Sequence, residues 1–453
     1  MKTLIDKQRT FFNTNRTKDP NFRIEQLKRL KVLLLANQER LNKAIYADFK
    51  KSPFETFTNE FGLVFLGIDE ACKKLKKWSK HKRVRTNWIN FPAKSYIIPE
   101  PLGVSLVIGA WNYPYQLSFA PVIAAIAAGN TVILKPSELP SNTSRLIAEL
   151  INQHFDEAFF HVVEGGIPET TALLEQHFDK IFFTGSPNVG RVVYQAAAKH
   201  LTPVTLELGG KSPAIFTEDA DLKMGIKRLV WAKFLNSGQT CIAPDYLLIP
   251  RSLKDQFLAM AKKEILQARY SVENGNYIQI INDRNIQRLK GLIDPEKVYF
   301  GGDINEVERI IEPTILYPVT FQDTVMQEEI FGPLLPVLTY DSLDEAISEI
   351  KKREKPLSCY IFTKDSSLKN KLLTELSFGG GAINEGIMHI SNSRLPFGGV
   401  GQSGTGSYHG EAGFRAFSHY KSVLEKANWL ETKLKYSPYS ERKLKWIKRL
   451  MRI

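Results

Sequence analysis

Between residues 104 and 183, short apolar stretches alternate with longer helix-like ones. The strand-like stretches are residues 104–108, 131–134, 161–163 and 180–183, and the helix-like ones are 117–128 and 141–155. Parallel strands are joined by crossover helices and are buried on both faces, so they are apolar throughout. This part of the chain therefore predicts a doubly wound parallel sheet, which binds ligands at the carboxyl ends of its strands.

The rest of the chain predicts further elements around this sheet. Additional strand-like stretches lie at 214–216, 246–249, 334–338 and 358–362. Apolar residues recur at helical spacing in 22–49 and 55–78, and the proline-rich residues 88–102 predict an extended hairpin. Because 453 residues are too many for one hydrophobic core, we expect an α/β protein with two large domains.

Cysteine usage and the first residues constrain the cellular compartment. Cys72, Cys241 and Cys359 are far apart and include no CxxC pair. They indicate neither a disulfide framework nor a cysteine zinc site, so no metal is expected and a reducing, cytoplasmic compartment fits. The start of the chain has no secretory signal pattern, and no apolar stretch reaches the length of a membrane span.

The net charge of 61 − 48 = +13 is partly local, since six positive charges lie within residues 442–453. No basic stripe interleaved with stacking aromatics occurs elsewhere, so nucleic-acid binding is not expected. On a helix, this tail places five of its six basic residues opposite an apolar half. The apolar half consists of Leu444, Trp446, Ile447, Leu450, Met451 and Ile453. We expect a surface helix that contacts either an anionic membrane or a protein surface.

Three side chains are candidates for catalysis. Cys241, in a glycine-broken loop, is the candidate nucleophile, although a thiol attacks only as thiolate. Glu207 lies between two leucines, where an apolar setting would raise its pKa and suit it to act as a general base. Asn112 follows a strand and can donate to an oxyanion. The alternatives are a buried inert cysteine, a salt-bridged glutamate and a turn asparagine.

Two strand-to-turn segments are candidates for holding a nucleotide. Residues 183–190 include Gly185, Ser186 and Gly190, and residues 135–138 include Lys135 and Glu138. Each turn can present backbone N–H groups or a cation to phosphate or ribose. Neither is a GxGxxG sequence, so the spacing alone leaves nucleotide binding open.

Taken together, seven blocks resemble the aldehyde dehydrogenase superfamily, in particular its class 3, fatty-aldehyde-type branch. They are GAWNYP at 109–114, KPSE at 135–138, FTGS at 183–186, LELGGKSP at 206–213, GQTC at 238–241, EEIFGP at 328–333 and PFGGVG at 396–401. They occur in family order, and the resemblance spans about residues 22–422. The last two blocks have no role that spacing alone indicates.

The resemblance implies a role for each candidate residue. Cys241 would attack the aldehyde, the Asn112 amide would hold the oxyanion, and Glu207 would activate the hydrolytic water. The implied cofactor-binding residues are Lys135, Glu138, Gly185, Ser186, Gly190, Glu329 and Phe331. The implied substrate residues are Tyr113, Phe397 and His409, although a structural role for His409 is the alternative. Pro187 departs from the residue expected in the phosphate-binding turn.

The resemblance also implies a division of the chain and a fold. We expect a Rossmann-like coenzyme domain, a second α/β catalytic domain and a small β bridging or oligomerisation element. The expected segments are 1–85 and 101–206 for NAD(P) binding, 86–100 for a bridging hairpin, 207–392 for catalysis, 393–430 for a return segment with an oligomerisation strand, and 431–453 for the basic amphipathic tail.

The implied activity is NAD(P)-dependent oxidation of a lipophilic, medium- or long-chain aldehyde to the carboxylic acid. We expect NAD as cofactor, with NADP as the alternative. The chain begins close to the first family helix, so the resemblance implies a homodimer. We expect it in the cytoplasm, and peripheral membrane contact through the tail is the alternative. Competing hypotheses are a CoA-acylating dehydrogenase, against which Glu207 argues, and a nucleotide-independent cysteine hydrolase, which lacks a recognisable histidine signature.

Overall fold

The computed structural model describes residues 1–452. The strands in this range are β1 (Lys82–Val84), β2 (Ala93–Pro101), β3 (Val104–Ile108), β4 (Thr131–Lys135), β5 (Phe160–Val162), β6 (Lys180–Thr184), β7 (Val204–Glu207), β8 (Pro213–Phe216), β9 (Tyr246–Pro250), β10 (Val298–Phe300), β11 (Ile304–Asn305), β12 (Ile310–Ile311), β13 (Thr314–Leu316), β14 (Leu334–Tyr340), β15 (Ser358–Phe362), β16 (Gly380–Ile383), β17 (Gly404–Thr405) and β18 (Ser418–Lys426).

Helices surround and connect these strands. They are α1 (Lys2–Asn13), α2 (Pro20–Ala36), α3 (Gln38–Phe49), α4 (Pro53–Thr56), α5 (Gly62–Trp78), α6 (Pro114–Ala128), α7 (Ser141–His154), α8 (Ile167–Leu174), α9 (Pro187–Ala198), α10 (Leu222–Phe234), α11 (Lys254–Ala268), α12 (Asp283–Lys290), α13 (Leu343–Lys351), α14 (Ser366–Glu375), α15 (Gly410–Ala416) and α16 (Glu441–Met451).

The first large sheet has the strand order β17-β7-β6-β3-β4-β5 and is parallel except at β17. Every residue of β3, β4 and β6 is buried, which explains their largely apolar sequences. The chain runs from β3 through β4 to β5 on one side and then returns to β6 on the other side of β3. The switch point between β3 and β6 is therefore the expected ligand crevice, and the predicted doubly wound sheet is confirmed.

The second large sheet has the order β10-β13-β14-β9-β8-β15-β16 and is parallel except between β10 and β13. Its central strands β8, β9 and β15 are also fully buried. This sheet confirms the predicted second α/β unit. The strand-like stretches at 214–216, 246–249, 334–338 and 358–362 all lie within it.

A small sheet of β1, β2 and β18 lies where a small β element was predicted, and its bridging role stays a prediction. Strand β2 pairs with β18 over nine residues, from Pro101 opposite Ser418 to Ala93 opposite Lys426. Strand β1 lies outside the predicted hairpin limits of 86–100, because the short charged segment Lys82–Val84 carries no strand-like sequence signal yet pairs with Ser95–Ile97.

The helical region before this sheet differs in detail from the sequence expectation. The periodic pattern over 22–49 forms two helices, because Asn37 leaves the helical conformation and ends α2. Its Nδ2 atom donates to the carbonyl oxygen of Leu33 at 3.0 Å. Between α4 and α5 lies one π-helical turn, Phe57–Phe61. Apolar residues of α2, α3 and α5 pack with α6 and α7 in one hydrophobic core over the first large sheet.

The predicted tail helix is α16, and Ser440 caps it by accepting a hydrogen bond from the Lys443 amide at 3.3 Å. Within the described residues, no side chain of α16 is buried, and Trp446 is 49% exposed. Ile453, which the predicted apolar half included, lies outside the described residues. Across residues 1–452, no helix combines the length and apolar character needed to cross a membrane.

Candidate active site

A cleft with a volume of about 1520 Å³ lies at the carboxyl ends of the first large sheet and extends to the second. Most of the candidate residues line it. They are Asn112, Lys135, Glu138, Gly185, Ser186, Glu207, Cys241, Glu329, Phe331 and Phe397. The cleft therefore brings together side chains that the sequence separates by more than 280 positions, from Asn112 to Phe397.

Cys241 follows a loop with an unusual backbone. Asn236, Ser237 and Gly238 have φ angles of 57°, 53° and 70°, a left-handed conformation that costs free energy in non-glycine residues. A Cβ atom at Gly238 would overlap the Gly332 carbonyl, so only glycine fits there. The Ser237 hydroxyl donates to the Ile278 carbonyl at 2.6 Å. The loop leading to the candidate nucleophile is thus strained and buried, and a hydrogen bond to the Ile278 carbonyl holds it in place.

The electrostatic environment opposes ionisation of Cys241. Its side chain is half-buried. Burial raises the pKa of the Cys241 thiol, and the neighbouring carboxyls of Glu329 and Glu207 raise that pKa further. In this arrangement the thiol is protonated near neutral pH, so attack requires a proton acceptor or a change in local charge.

Glu207 ends strand β7, and its side chain is buried. Among residues 1–452, neither of its carboxylate oxygens has a hydrogen-bond partner, and no ion pair includes it. Burial raises the pKa of Glu207 well above its ordinary value. A salt-bridged structural role is therefore not supported, and the free carboxyl faces the same cleft as Cys241.

Asn112 lies in the turn between β3 and α6, beside the cysteine loop. Its Nδ2 atom donates to the Gln239 carbonyl at 3.0 Å, and its own carbonyl accepts from Asn236 Nδ2 at 3.2 Å. An amide nitrogen carries two hydrogens, so one N–H of Asn112 remains for another acceptor. The Asn112 turn and the cysteine loop are therefore hydrogen-bonded to each other at Gln239, two residues before Cys241.

The two predicted nucleotide turns meet at the other end of the cleft. The buried Lys135 Nζ donates to the Pro136 carbonyl at 2.8 Å and to Glu138 Oε2 at 3.3 Å. Ser186 caps α9, whose first residue is Pro187, and accepts from the Val189 amide at 3.4 Å. Free N–H groups at this helix start suit an anion.

Gly190 is outside the set of residues that line the cleft. A Cβ atom there would lie 2.8 Å from Leu208 Cδ2, so Gly190 allows α9 to pack closely on the segment after β7. The predicted cofactor contact at this position stays a prediction.

Glu329 and Phe331 lie on a loop that enters the cleft opposite Gly209. Burial, followed by the charge of Asp245, raises the pKa of Glu329 to about 8. Phe331 has a φ of 49° and packs edge-on against Trp111, with 5.3 Å between ring centroids.

Three residues that the sequence did not single out hold this loop. Asp245 Oδ1 accepts from the Ile330 amide at 2.9 Å. Lys211, which pairs with Asp245, donates to the Glu328 carbonyl at 2.8 Å. Arg288 donates to the Ile330 carbonyl at 2.6 Å. Lys211 lies in the LELGGKSP block. Asp245, Arg288 and the loop at 328–330 come from distant segments, so the sequence spacing did not indicate these contacts.

The three predicted substrate residues occupy different places. The Tyr113 hydroxyl is 2.7 Å from Thr240 Oγ1, next to the candidate nucleophile. Phe397 lines the cleft, whereas His409 lines a separate cavity of about 470 Å³ between α5 and α6. The His409 ring stacks behind Phe397 at 5.2 Å, and burial lowers the pKa of His409 to about 4. A neutral ring that supports Phe397 agrees with the structural alternative for His409.

Comparison with known proteins identifies the family. A family model described as "Aldehyde dehydrogenase family" matches residues 1–423. This chain belongs to that family. It is an aldehyde dehydrogenase, an oxidoreductase that acts on the aldehyde group and uses NAD or NADP, so the predicted resemblance is confirmed. The cysteine-hydrolase alternative is no longer supported.

Similar proteins align over nearly the whole chain. A 4,4'-diaponeurosporen-aldehyde dehydrogenase of Staphylococcus aureus is 48% identical, covering 97% of this chain and 96% of that protein. A dimeric NADP-preferring aldehyde dehydrogenase of Rattus norvegicus is 45% identical, covering 96% and 97%. An aldehyde dehydrogenase family 3 member A2 of Mus musculus is 43% identical, covering 99% and 93%. The solved substrate-bound structure of S. aureus AldH has a TM-score of 0.97 at 47% identity and covers 99% of both chains.

Proposed function

We propose that this aldehyde dehydrogenase oxidises a lipophilic aldehyde to its carboxylic acid through a covalent intermediate on Cys241. The observation that carries the proposal is the shared cleft. The thiol of Cys241, the unpartnered carboxyl of Glu207 and the amide of Asn112 lie together there with both nucleotide turns.

In the proposed reaction, the Cys241 thiol gives its proton to solvent water, and its sulfur bonds to the aldehyde carbon as the C=O π bond breaks, which leaves the oxyanion of a thiohemiacetal. The oxyanion accepts hydrogen bonds from the second N–H of Asn112 and from the backbone N–H of Cys241. A nicotinamide cofactor held by the turns around Lys135 and Ser186 would accept the hydride from the thiohemiacetal carbon. The resulting thioester is attacked by a water that Glu207 deprotonates, which releases the acid and restores the thiol.

Glu207 favours hydrolysis over transfer to CoA. Its buried carboxyl has a raised pKa and no competing hydrogen-bond partner within residues 1–452. Both features suit a general base that takes a proton from water. The CoA-acylating alternative needs no such base, so nothing in this cleft favours it.

We propose NAD as the cofactor, with NADP also accepted. The cleft volume and the free N–H groups at the start of α9 suit a dinucleotide with its phosphates near Ser186. Lys135 would meet the adenosine ribose and tolerate a 2′-phosphate, whereas the carboxylate of Glu138 favours a free 2′-hydroxyl. The name of the rat relative includes "NADP-preferring", which agrees with acceptance of NADP.

Reduced-cofactor absorbance tests the proposed function. The intact protein is supplied with NAD or NADP and a series of aldehydes from acetaldehyde to long-chain and polyene aldehydes. We expect kcat/KM to rise with chain length, because the cleft is lined by apolar side chains such as Phe397 and Leu117. Equal kcat/KM across the series would contradict a lipophilic substrate. No signal with either cofactor would contradict the proposed function itself.

We propose a homodimer built on the small sheet. Strand β18 is an edge strand within the described structure, and its nine residues leave one row of backbone groups open for pairing. The name of the rat relative includes "dimeric". Size-exclusion chromatography with light scattering should give twice the mass of one chain. Replacing Val423 in β18 by proline should shift the mass toward that of one chain, whereas an unchanged dimer mass would contradict an interface on β18.

We further propose that α16 contacts an anionic membrane surface from the cytoplasmic side. Its exposed apolar side chains include Leu444, Trp446 and Leu450, which are 47–51% exposed. Six basic residues lie in the same segment, 442–453. No side chain in the described part of α16 is buried, so the helix does not bury an apolar face against the rest of the protein. A basic amphipathic helix of this kind lies in the lipid interface.

Liposome sedimentation tests this contact. The intact protein should sediment with phosphatidylglycerol-rich vesicles and stay in solution with phosphatidylcholine vesicles. Replacing Lys445 and Lys448 by glutamate should weaken binding by about tenfold or more, at roughly 1 kcal/mol per basic residue. The matched control makes the same charge change at Lys433 and Lys435, just before the helix. Equal loss in both variants, or no loss in either, would count against α16 as the contact.

A further inference from the structure

A fully buried ion pair lies beneath the turn that carries Asn112. Lys51 Nζ is 2.8 Å from Glu60 Oε1, and both side chains have 0% exposure. Of the ion pairs among residues 1–452, this one alone has both partners completely inaccessible to solvent. Lys51 follows α3, and Glu60 lies in the π-helical turn before α5.

Glu60 holds the start of α6. Its second oxygen accepts hydrogen bonds from the backbone amides of Tyr115 at 2.7 Å and Gln116 at 3.3 Å. These are among the first amides of the helix, which have no partner inside it, and a carboxylate there is favoured by the helix dipole. Glu60 therefore fixes the chain directly after Asn112 and Tyr113.

Lys51 holds the other side of the same turn. Its Nζ atom donates to the Asn112 carbonyl at 3.1 Å and lies 4.2 Å from the centroid of the Tyr113 ring. The Asn112 carbonyl also accepts from Asn236 at 3.2 Å, so it is shared between Lys51 and the cysteine loop. The ion pair thus contacts the Asn112 turn at both ends.

The cost of such a pair points to a role beyond stability. Desolvating two charges offsets most of their attraction, and buried ion pairs are often no more stabilising than apolar residues of the same volume. What apolar residues cannot supply is directed hydrogen bonding to the Asn112 carbonyl and the α6 amides.

We propose that Lys51 and Glu60 are positioning residues that set the direction of the Asn112 side-chain amide toward the oxyanion. This inference rests on the proposed function, in which Asn112 holds that oxyanion. It predicts that loss of the pair slows the covalent reaction with aldehyde without reducing access to Cys241.

The test replaces both partners at once, Lys51→Met with Glu60→Gln, so that neither partner of the pair is left charged without the other; the carboxyl of Glu55 stays buried beside them. We expect kcat to fall between about 10- and 100-fold, because misplacing one oxyanion donor by about 1 Å has effects of this size. The rate of Cys241 alkylation by iodoacetamide should stay unchanged, since that reaction forms no oxyanion. Glu60→Gln alone is the second variant. It keeps an acceptor for the Tyr115 amide and leaves Lys51 next to the buried carboxyl of Glu55, so it should give a smaller loss of the same kind.

The matched control is the Arg9–Asp179 pair at the opposite ends of the strands. Asp179 accepts from Arg9 at 2.9 Å and from the Val104 amide at 2.8 Å, so it also holds a backbone segment. Arg9→Met with Asp179→Asn should leave kcat unchanged. A loss of kcat equal to that of the Lys51 and Glu60 variant would overturn the inference, because the effect would then be one of general stability.

Combination with Asn112→Ala separates this inference from the proposed function. In that background, removing the Lys51–Glu60 pair should cost less than threefold further, because the group it positions is gone. An undiminished further loss would overturn the positioning role while leaving the function of Asn112 intact. Unchanged kcat in Asn112→Ala alone would overturn the oxyanion assignment, and the positioning role with it.

Discussion

Replacement of Cys241 by alanine should reduce aldehyde oxidation by about 10⁴-fold or more, because the covalent route is lost entirely. Reduced-cofactor absorbance measures this directly. The variant should still bind NAD, because the nucleotide turns around Lys135 and Ser186 are unchanged. Quenching of tryptophan fluorescence on addition of NAD measures this binding. Loss of activity together with intact cofactor binding would assign the thiol to chemistry rather than to folding.

Cys72→Ala is the matched control for this variant. Cys72 is half-buried in α5, and its sulfur faces the Ile24 carbonyl rather than the cleft. Activity should therefore stay within about twofold of the intact protein. Retained oxidation in Cys241→Ala, or an equal loss in Cys72→Ala, would exclude Cys241 as the nucleophile.

Replacement of Glu207 by glutamine should lower kcat by about 10²- to 10⁴-fold, the usual contribution of a general base. The hydride-transfer step needs no base at this position, so reduced cofactor should appear in a rapid burst of one equivalent per subunit. A slow phase limited by thioester hydrolysis should follow. Rapid-mixing absorbance distinguishes the two phases, and a steady rate without a burst would contradict the assigned role.

The same group gives the reaction a pH dependence. Burial raises the pKa of Glu207, so the carboxyl is protonated at low pH and becomes the active base only as the pH rises through that raised value. In the intact protein, the rate of thioester hydrolysis should therefore increase with pH. Glu207→Gln should remove this increase, whereas an unchanged profile would mean that another group controls it.

Local sequence patterns predicted the sheets, and together with the family resemblance they predicted ten of the residues that line the cleft. Strands β3 and β15 were located to the residue, because strands buried on both faces are short, continuous apolar runs. Asn112 and Glu207 follow or end such strands, and the carboxyl ends of parallel strands share one edge of a sheet. Their convergence with Cys241 was expected from this topology and from the family order of the motifs.

Features that depend on distant pairing could not be predicted. The Lys51–Glu60 ion pair contacts Asn112 only after three separate segments of the chain fold together. A single lysine or glutamate in a helical region is expected to be exposed to solvent. The same holds for Lys211 and Asp245. The break at Asn37 was missed because the apolar pattern continues through it. The paired positions are set by hydrogen bonds between segments, and the break at Asn37 by a local bond to the Leu33 carbonyl; periodicity encodes neither.

Mass spectrometry of Glu207→Gln after brief mixing with an aldehyde and NAD tests the central claim most directly. The variant is digested under mildly acidic conditions, which preserve thioesters. The account predicts that the peptide containing Cys241 gains the mass of the acyl group in proportion to the burst of reduced cofactor. A burst with the acyl group on another residue, or with no covalent adduct, would contradict covalent catalysis by Cys241.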